Sequence, residues 1–201
     1  MNYAICVSGA ASGKTVDSSH DNATKLGVAI AKSGHILTTG ATVGLPFYAA
    51  LAAKEAGGMS IGFSPAASLR EHVSKYRLPI GVFDYINFTG MHYVGRDVHL
   101  VQSSDAIITV GGRFGSLHEF TTALESRMPC GVLLGSGGTA DLIPELMEKL
   151  EPINTDMLVY DTDPEALVAK IIAVLDREYK DINTKALSAH WFLERKHKHQ
   201  G

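Results

Sequence analysis

Short apolar runs alternate with longer stretches of helical period along most of this chain. Runs at 3–8, 35–39, 59–63, 80–83, 106–110, 131–134 and 157–160 have the length and aliphatic character of buried strands. Between them, apolar residues recur with helical spacing. A helix over 24–31 carries Leu26, Val28 and Ile30, and Pro46 opens an alanine-rich helix reaching Ala56. The stretch 90–103 places Val94, Val98 and Val101 on one face, with Arg96 off that face. Leu117, Phe120 and Leu124 form a further stripe, as do Leu142, Leu146 and Leu150, and then Leu167, Ile171 and Leu175. Strands alternating with helices predict an α/β fold, a mainly parallel sheet joined by right-handed crossovers and covered by helices on both faces. A single domain over 1–180 is expected, followed by a basic tail at 181–201 whose part from Lys185 onward lacks a pattern. The polar segment 64–79 reads as an irregular loop, a candidate lid.

Ligands in such sheets bind beyond the carboxyl ends of the strands. That rule selects three glycine turns. The first, Ser8-Gly9-Ala10-Ala11-Ser12-Gly13-Lys14-Thr15, nearly matches a nucleotide phosphate loop, with serine where the first glycine belongs. The polar run after it places the helix start later, which makes Lys14 a solvated loop charge. Ser8 and Gly9 remain candidates for lining a pocket. The second turn runs from Thr38 to Pro46, and Gly40, Thr42 and Gly44 are its candidates. It lacks the glycine spacing and the ribose-binding acid of a dinucleotide site, which disfavours NAD. The third, Val110-Gly111-Gly112-Arg113-Phe114-Gly115-Ser116-Leu117-His118-Glu119, joins a strand to a helix start. Backbone N–H groups there can cradle an anion. Ser116 and Glu119 fit two descriptions, a capping box or a carboxylate poised beside a phosphate site. Arg96 is likewise either a solvated arginine or a cation that pairs with a phosphate or with Glu119.

Composition narrows the classes. The 201 residues carry a net charge of −3, with no basic stripe for a nucleic acid and no apolar run long enough to span a membrane. The first residues read as a strand rather than a leader. Cys6 and Cys130 fall in apolar runs, as buried thiols in a reducing cytoplasm do. His92, His99 and His118 have no ligand spacing with acids or cysteines, so no metal site is expected.

The string Thr89-Gly90-Met91, Arg96-Asp97, Ser104-Asp105-Ala106 and Gly111-Gly112-Arg113-Phe114-Gly115-Ser116-Leu117-His118-Glu119 resembles the LOG superfamily. The turns at Ser8 and Thr39 and the segment 158–165 match in order, so the likeness spans about 3–178. The resemblance implies a Rossmann-like fold and a homodimer or homotetramer. It places the family's catalytic arginine on Arg96 and its glutamate on Glu119. Its phosphate-binding Gly-Thr falls on Gly115 and Ser116, beside Gly111, Gly112 and Arg113. One branch hydrolyses the N-glycosidic bond of nucleoside 5′-monophosphates, giving free base and ribose 5-phosphate, and this is the activity the resemblance leads one to expect here, with a non-catalytic carrier or sensor as the alternative. Another resembles carriers that bind a molybdopterin phosphate without turnover. The expected ligand is therefore a nucleoside monophosphate or molybdopterin, with no further cofactor required. Three positions depart from the family pattern: Ala41 and Arg113 stand for glycines, and Asp97 stands for a lysine.

Overall fold

The computed structural model describes residues 2–150 and 155–181. All of the expected tail but its first residue lies outside them. Seven strands alternate with seven helices: β1 (Ala4–Gly9), α1 (Lys14–Lys32), β2 (Ile36–Thr39), α2 (Leu45–Glu55), β3 (Met59–Ser64), α3 (Leu69–Ser74), β4 (Tyr85–Phe88), α4 (His92–Gln102), β5 (Ala106–Val110), α5 (Phe114–Glu125), β6 (Cys130–Leu133), α6 (Gly138–Leu150), β7 (Leu158–Asp161) and α7 (Pro164–Glu178). Every strand pairing is parallel, in the order β4-β3-β2-β1-β5-β6-β7. Strand alternation divides the core in two. Ile5, Val7, Ile108 and Val110 pack with Leu26 and Ile30 of α1, Ala49 and Ala53 of α2 and Ile171 of α7. Cys6, Ile107, Cys130 and Val132 pack with Leu100 of α4, Phe120 of α5 and Ile143 of α6. The result is the expected single α/β domain with helices on both faces. Among the described residues no helix is long and apolar enough to cross a membrane.

Helices α1 and α2 approach so closely that glycine is required at one point. A Cβ on Gly27 would sit 2.1 Å from the Ala49 carbonyl oxygen. Alanine gains about 1 kcal/mol of helix propensity over glycine, whereas forcing atoms into a packed core costs about 1–3 kcal/mol. A contact this short puts the cost at the upper end. Gly27→Ala is therefore expected to lower the unfolding free energy by about 1–2 kcal/mol, read by urea denaturation.

Several expectations are corrected. The fourth strand is Tyr85–Phe88 rather than 80–83. Pro79 and Gly81 break the earlier run, whose Val82 and Phe83 reach the core from a non-strand backbone. The 64–79 segment is built rather than loose. It contains α3, whose Ser68 hydroxyl caps the helix by accepting from the Glu71 N–H. Buried His72 bridges the Ser64 hydroxyl (2.8 Å) and the Pro79 carbonyl (2.9 Å). Helix α1 begins at Lys14 itself, directly after Gly13, whose φ of 99° glycine accepts without strain. Two apolar stripes face outward in part: Val94 and Val98 of the first and Leu142 and Leu150 of the second are exposed, whereas Val101 is buried as its spacing predicts. On α4, Val94 is 70% exposed, while Arg96, Asp97, Leu100 and Val101 turn inward. On α6, Leu142 and Leu150 are exposed and Ala140 and Ile143 are buried.

Candidate functional site

From β1 the chain winds outward to β4, then returns to place β5 on the other side of β1. The carboxyl ends of β1 and β5 thus bound a topological switch point, where an open α/β sheet leaves a crevice. A cavity of about 220 Å³ lies there.

β1 delivers Gly9 to its floor and Ser8 just behind it. Ser8 lies on the side of the sheet that carries Cys6, facing α5, and its hydroxyl donates to a Glu119 carboxylate oxygen. Gly9 has no room for a side chain, since a Cβ would meet the Val110 carbonyl at 2.8 Å. β5 ends in Gly111 and Gly112, both with positive φ. The Gly111 N–H donates to the Ser136 hydroxyl at 2.8 Å, and a Cβ on Gly112 would lie 2.6 Å from that of Ser116. α5 then opens at Phe114, with extended Arg113 as its N-cap residue and no side-chain cap. Ser116 and Glu119 are consequently inside the helix, and both are buried. The capping-box description fails, because the helix starts three residues before it would require. At the neighbouring α6, by contrast, the Asp141 carboxylate accepts from the N–H groups of Gly135 and Gly137.

α4 supplies the cation. Arg96 is 5% exposed, so it is no surface arginine. The Nη1 end of its guanidinium abuts Gly40, where a Cβ would be 1.7 Å from Nη1. Nη1 donates to the Phe63 carbonyl at 3.2 Å, and Nε stands 3.1 Å from Asp97 Oδ1 without the alignment of a hydrogen bond. The other Asp97 oxygen meets His118 Nδ1 at 3.0 Å. Gly9, Gly40, Thr42, Arg96, Arg113, Gly115, Ser116 and Glu119 all line the cavity. Ser8, Gly44, Gly111 and Gly112 stand outside its lining and shape it. Gly44, at φ 78°, lets α2 start against the first turn, where the Leu45 N–H donates to the Ala10 carbonyl at 2.9 Å. Ala41 takes φ 52°, the left-handed backbone that the family's glycine would accept more easily.

A family model spans residues 2–168, from β1 into α7, and takes in all three glycine turns. The chain belongs to the SLOG cluster4 family. An uncharacterized protein of Archaeoglobus fulgidus is 34% identical over 101 residues, covering 50% of this chain and 61% of that one. A molybdenum cofactor binding protein from the phototrophic bacterium Rippkaea orientalis is 28% identical. It superposes with a TM-score of 0.72, covering 87% of this chain and 98% of its own. The molybdenum cofactor carrier protein of Chlamydomonas reinhardtii is 27% identical, with a TM-score of 0.68 over 87% of this chain and 99% of its own.

In this SLOG chain the electrostatics centre on Glu119. Burial pushes its carboxyl up, Arg96 opposes, Asp97 adds to the rise and the Ser8 hydrogen bond lowers it, leaving it at about 7. A group so poised exchanges a proton near neutrality. The uncapped N-terminus of α5 and the exposed Arg113 guanidinium, which has no ion-pair partner among the described residues, favour an anion at the rim. Among the described residues no group of three His, Cys, Asp or Glu is arranged to hold a metal. Tyr93, which the glycine turns and the apolar pattern do not single out, also lines the SLOG cavity. The signal was present: Tyr93 stands three residues before Arg96, on the same side of a helix.

Proposed function

We propose that this chain binds a phosphorylated small molecule, a nucleoside 5′-monophosphate or a molybdopterin phosphate, and holds it as a carrier or sensor. The phosphate sits at the N-terminus of α5, against the Gly115 and Ser116 backbone, with Arg113 closing over it. The observation that carries this reading is the free start of α5 opening on the cavity beside an arginine with no ion-pair partner among the described residues. The likeness to molybdenum cofactor binding and carrier proteins supports the ligand class. The test is calorimetric titration with AMP. Arg113→Glu is expected to weaken AMP by at least about tenfold, since a charge-assisted hydrogen bond contributes roughly 1.5–3 kcal/mol. Wild-type affinity in that variant would remove the phosphate from this rim.

Glu119 favours a second reading, hydrolysis of the glycosidic bond. Its ionised form takes a proton from water and stabilises positive charge on the ribose as the C–N bond breaks. The proton that Glu119 takes from water passes to the departing base, and hydroxide adds at C1′ to give ribose 5-phosphate. Glu119→Gln is expected to abolish release of free base from AMP, followed by chromatography, while AMP still binds. If the wild-type protein binds AMP and releases no base, the carrier reading stands alone. Exposed Val94 and Phe114, 70% and 88% accessible, support a homo-oligomeric contact beside the site. The two buried free thiols fit a reducing compartment such as the cytoplasm.

A further inference from the structure

We infer that Tyr93 is the wall of the crevice on which the ligand's planar heteroaromatic ring stacks, and so the residue that sets preference for a ring-bearing phosphate over a bare sugar phosphate. This rests on the binding reading above and names the residue that reads the ring. Tyr93 lines the cavity yet remains 46% exposed. Its hydroxyl takes no hydrogen bond among the described residues, which leaves it for a polar ring edge. The Arg96 guanidinium carbon lies 5.9 Å from its ring centroid, so the wall joins an aromatic surface to a cation.

The ring is held rather than merely displayed. Tyr76 packs against it at 5.6 Å between centroids and 83° between planes. The Tyr76 hydroxyl hydrogen-bonds His92 Nδ1 at 2.8 Å. His92 has φ 53°, a left-handed conformation uncommon for a residue with a side chain. The turn leading to it is tied down by hydrogen bonds from the Gly90 N–H to the Ala66 carbonyl (2.9 Å) and from the His92 N–H to the Pro65 carbonyl (3.1 Å). Thr89 adds another, from its hydroxyl to the Ser64 carbonyl (2.7 Å). His72 locks Ser64 in turn. Strain is kept where surrounding structure over-determines it, and such places concentrate at ligand sites. A fixed, half-exposed aromatic has already lost the rotamer freedom that binding would cost, so a flat ring stacks on it with little penalty. Purines and pterins are rings of this kind. The phosphate-facing groups come from α5 and the aromatic wall from α4, so phosphate and ring are read by separate elements.

The test is calorimetric titration of the intact chain with AMP, GMP and ribose 5-phosphate. Guanine shares the 2-amino-4-oxo-pyrimidine edge of a pterin, and ribose 5-phosphate lacks a ring. In the wild-type protein at least one nucleotide is expected to bind about tenfold or more tighter than ribose 5-phosphate, as base stacking on an aromatic provides. Tyr93→Leu abolishes that preference and leaves ribose 5-phosphate unchanged within about twofold, whereas Tyr93→Phe retains it. A nucleotide preference that survives in Tyr93→Leu overturns the inference. So does equal wild-type affinity for nucleotides and ribose 5-phosphate, or a parallel loss of all three ligands in Tyr93→Leu. In those cases the phosphate site itself stands. Failure of the wild-type protein to bind any of the three overturns both the ring wall and the pocket reading.

Discussion

Arg96→Met is expected to destabilise the protein by about 3–5 kcal/mol, the usual consequence of stripping one partner from a buried charge pair. The Arg96 and Asp97 side chains are 6% and 7% accessible, and Glu119 is buried beside them. Methionine keeps the helix propensity and much of the stem. It leaves two carboxyl groups without a buried cation, so Glu119 must hold its proton to higher pH. Urea unfolding at pH 8 reads the loss directly. A second substitution separates charge from packing. When Asp97→Leu accompanies Arg96→Met, the uncompensated carboxylate is gone and at least half of the lost stability should return, because an apolar replacement of a whole buried pair is often close to neutral. If the single variant loses less than about 1 kcal/mol, Arg96 is not the counterion of this cluster.

The second large effect is a pH dependence of opposite sign to that of most carboxylates. Glu119 rises from an ordinary 4.5 to about 7 in the folded protein. Between those values the folded state binds the extra proton, so unfolding becomes easier as pH increases. The contribution is fully present below pH 4.5 and is lost as pH passes 7. Its size is on the order of 3 kcal/mol, from roughly 1.4 kcal/mol per pKa unit. His35, pulled down by burial, acts in the other direction below 6.5. The carboxyls of Asp84 and Asp161 sit below their usual range, so they add stability that disappears only in more acidic solution. The clean quantity is therefore the difference between the wild-type protein and Glu119→Gln, measured by urea unfolding from pH 4.5 to 8. That difference should decline with pH. A flat difference would mean that the carboxyl is ionised throughout, and with it would go the proton-exchanging role of Glu119.

Most strands were legible because buried parallel strands are short, apolar and bounded by glycine or polar turns. Ala106–Val110 is found where the pattern places it. Leu167, Ile171 and Leu175 of α7 are all buried as their spacing predicts. The misreadings share one cause: apolar periodicity records which residues can be buried, and neighbouring elements decide which are. On α4 Val101 is buried as expected, but Val94 and Val98 lost to Arg96 and Asp97, because Gly40 leaves a slot for a guanidinium and Phe63 offers a carbonyl in it. On α6 the leucine stripe lost to Ala140 and Ile143, which meet the sheet with Val132 and Ile107. Tyr85–Phe88 was missed because the preceding apolar run looked more strand-like, and only pairing with Ile61–Ser64 selects between them.

The order of apolar runs and glycine turns by itself determined the parallel α/β architecture and the strand ends that bound the cavity, since both follow from local periodicity and crossover handedness. The same sequence left Arg96 balanced between exposure and burial, and Glu119 between a helix cap and a buried carboxyl. Those choices belong to the tertiary structure. The start of α5 at Phe114 carried Glu119 past the capping position, and Ser8, 111 residues away in sequence, supplied its hydrogen bond. Burial beside Arg96 and Asp97 then set its proton affinity. Solvent exclusion and charge pairing are properties of groups brought together from distant segments, and no local pattern encodes them.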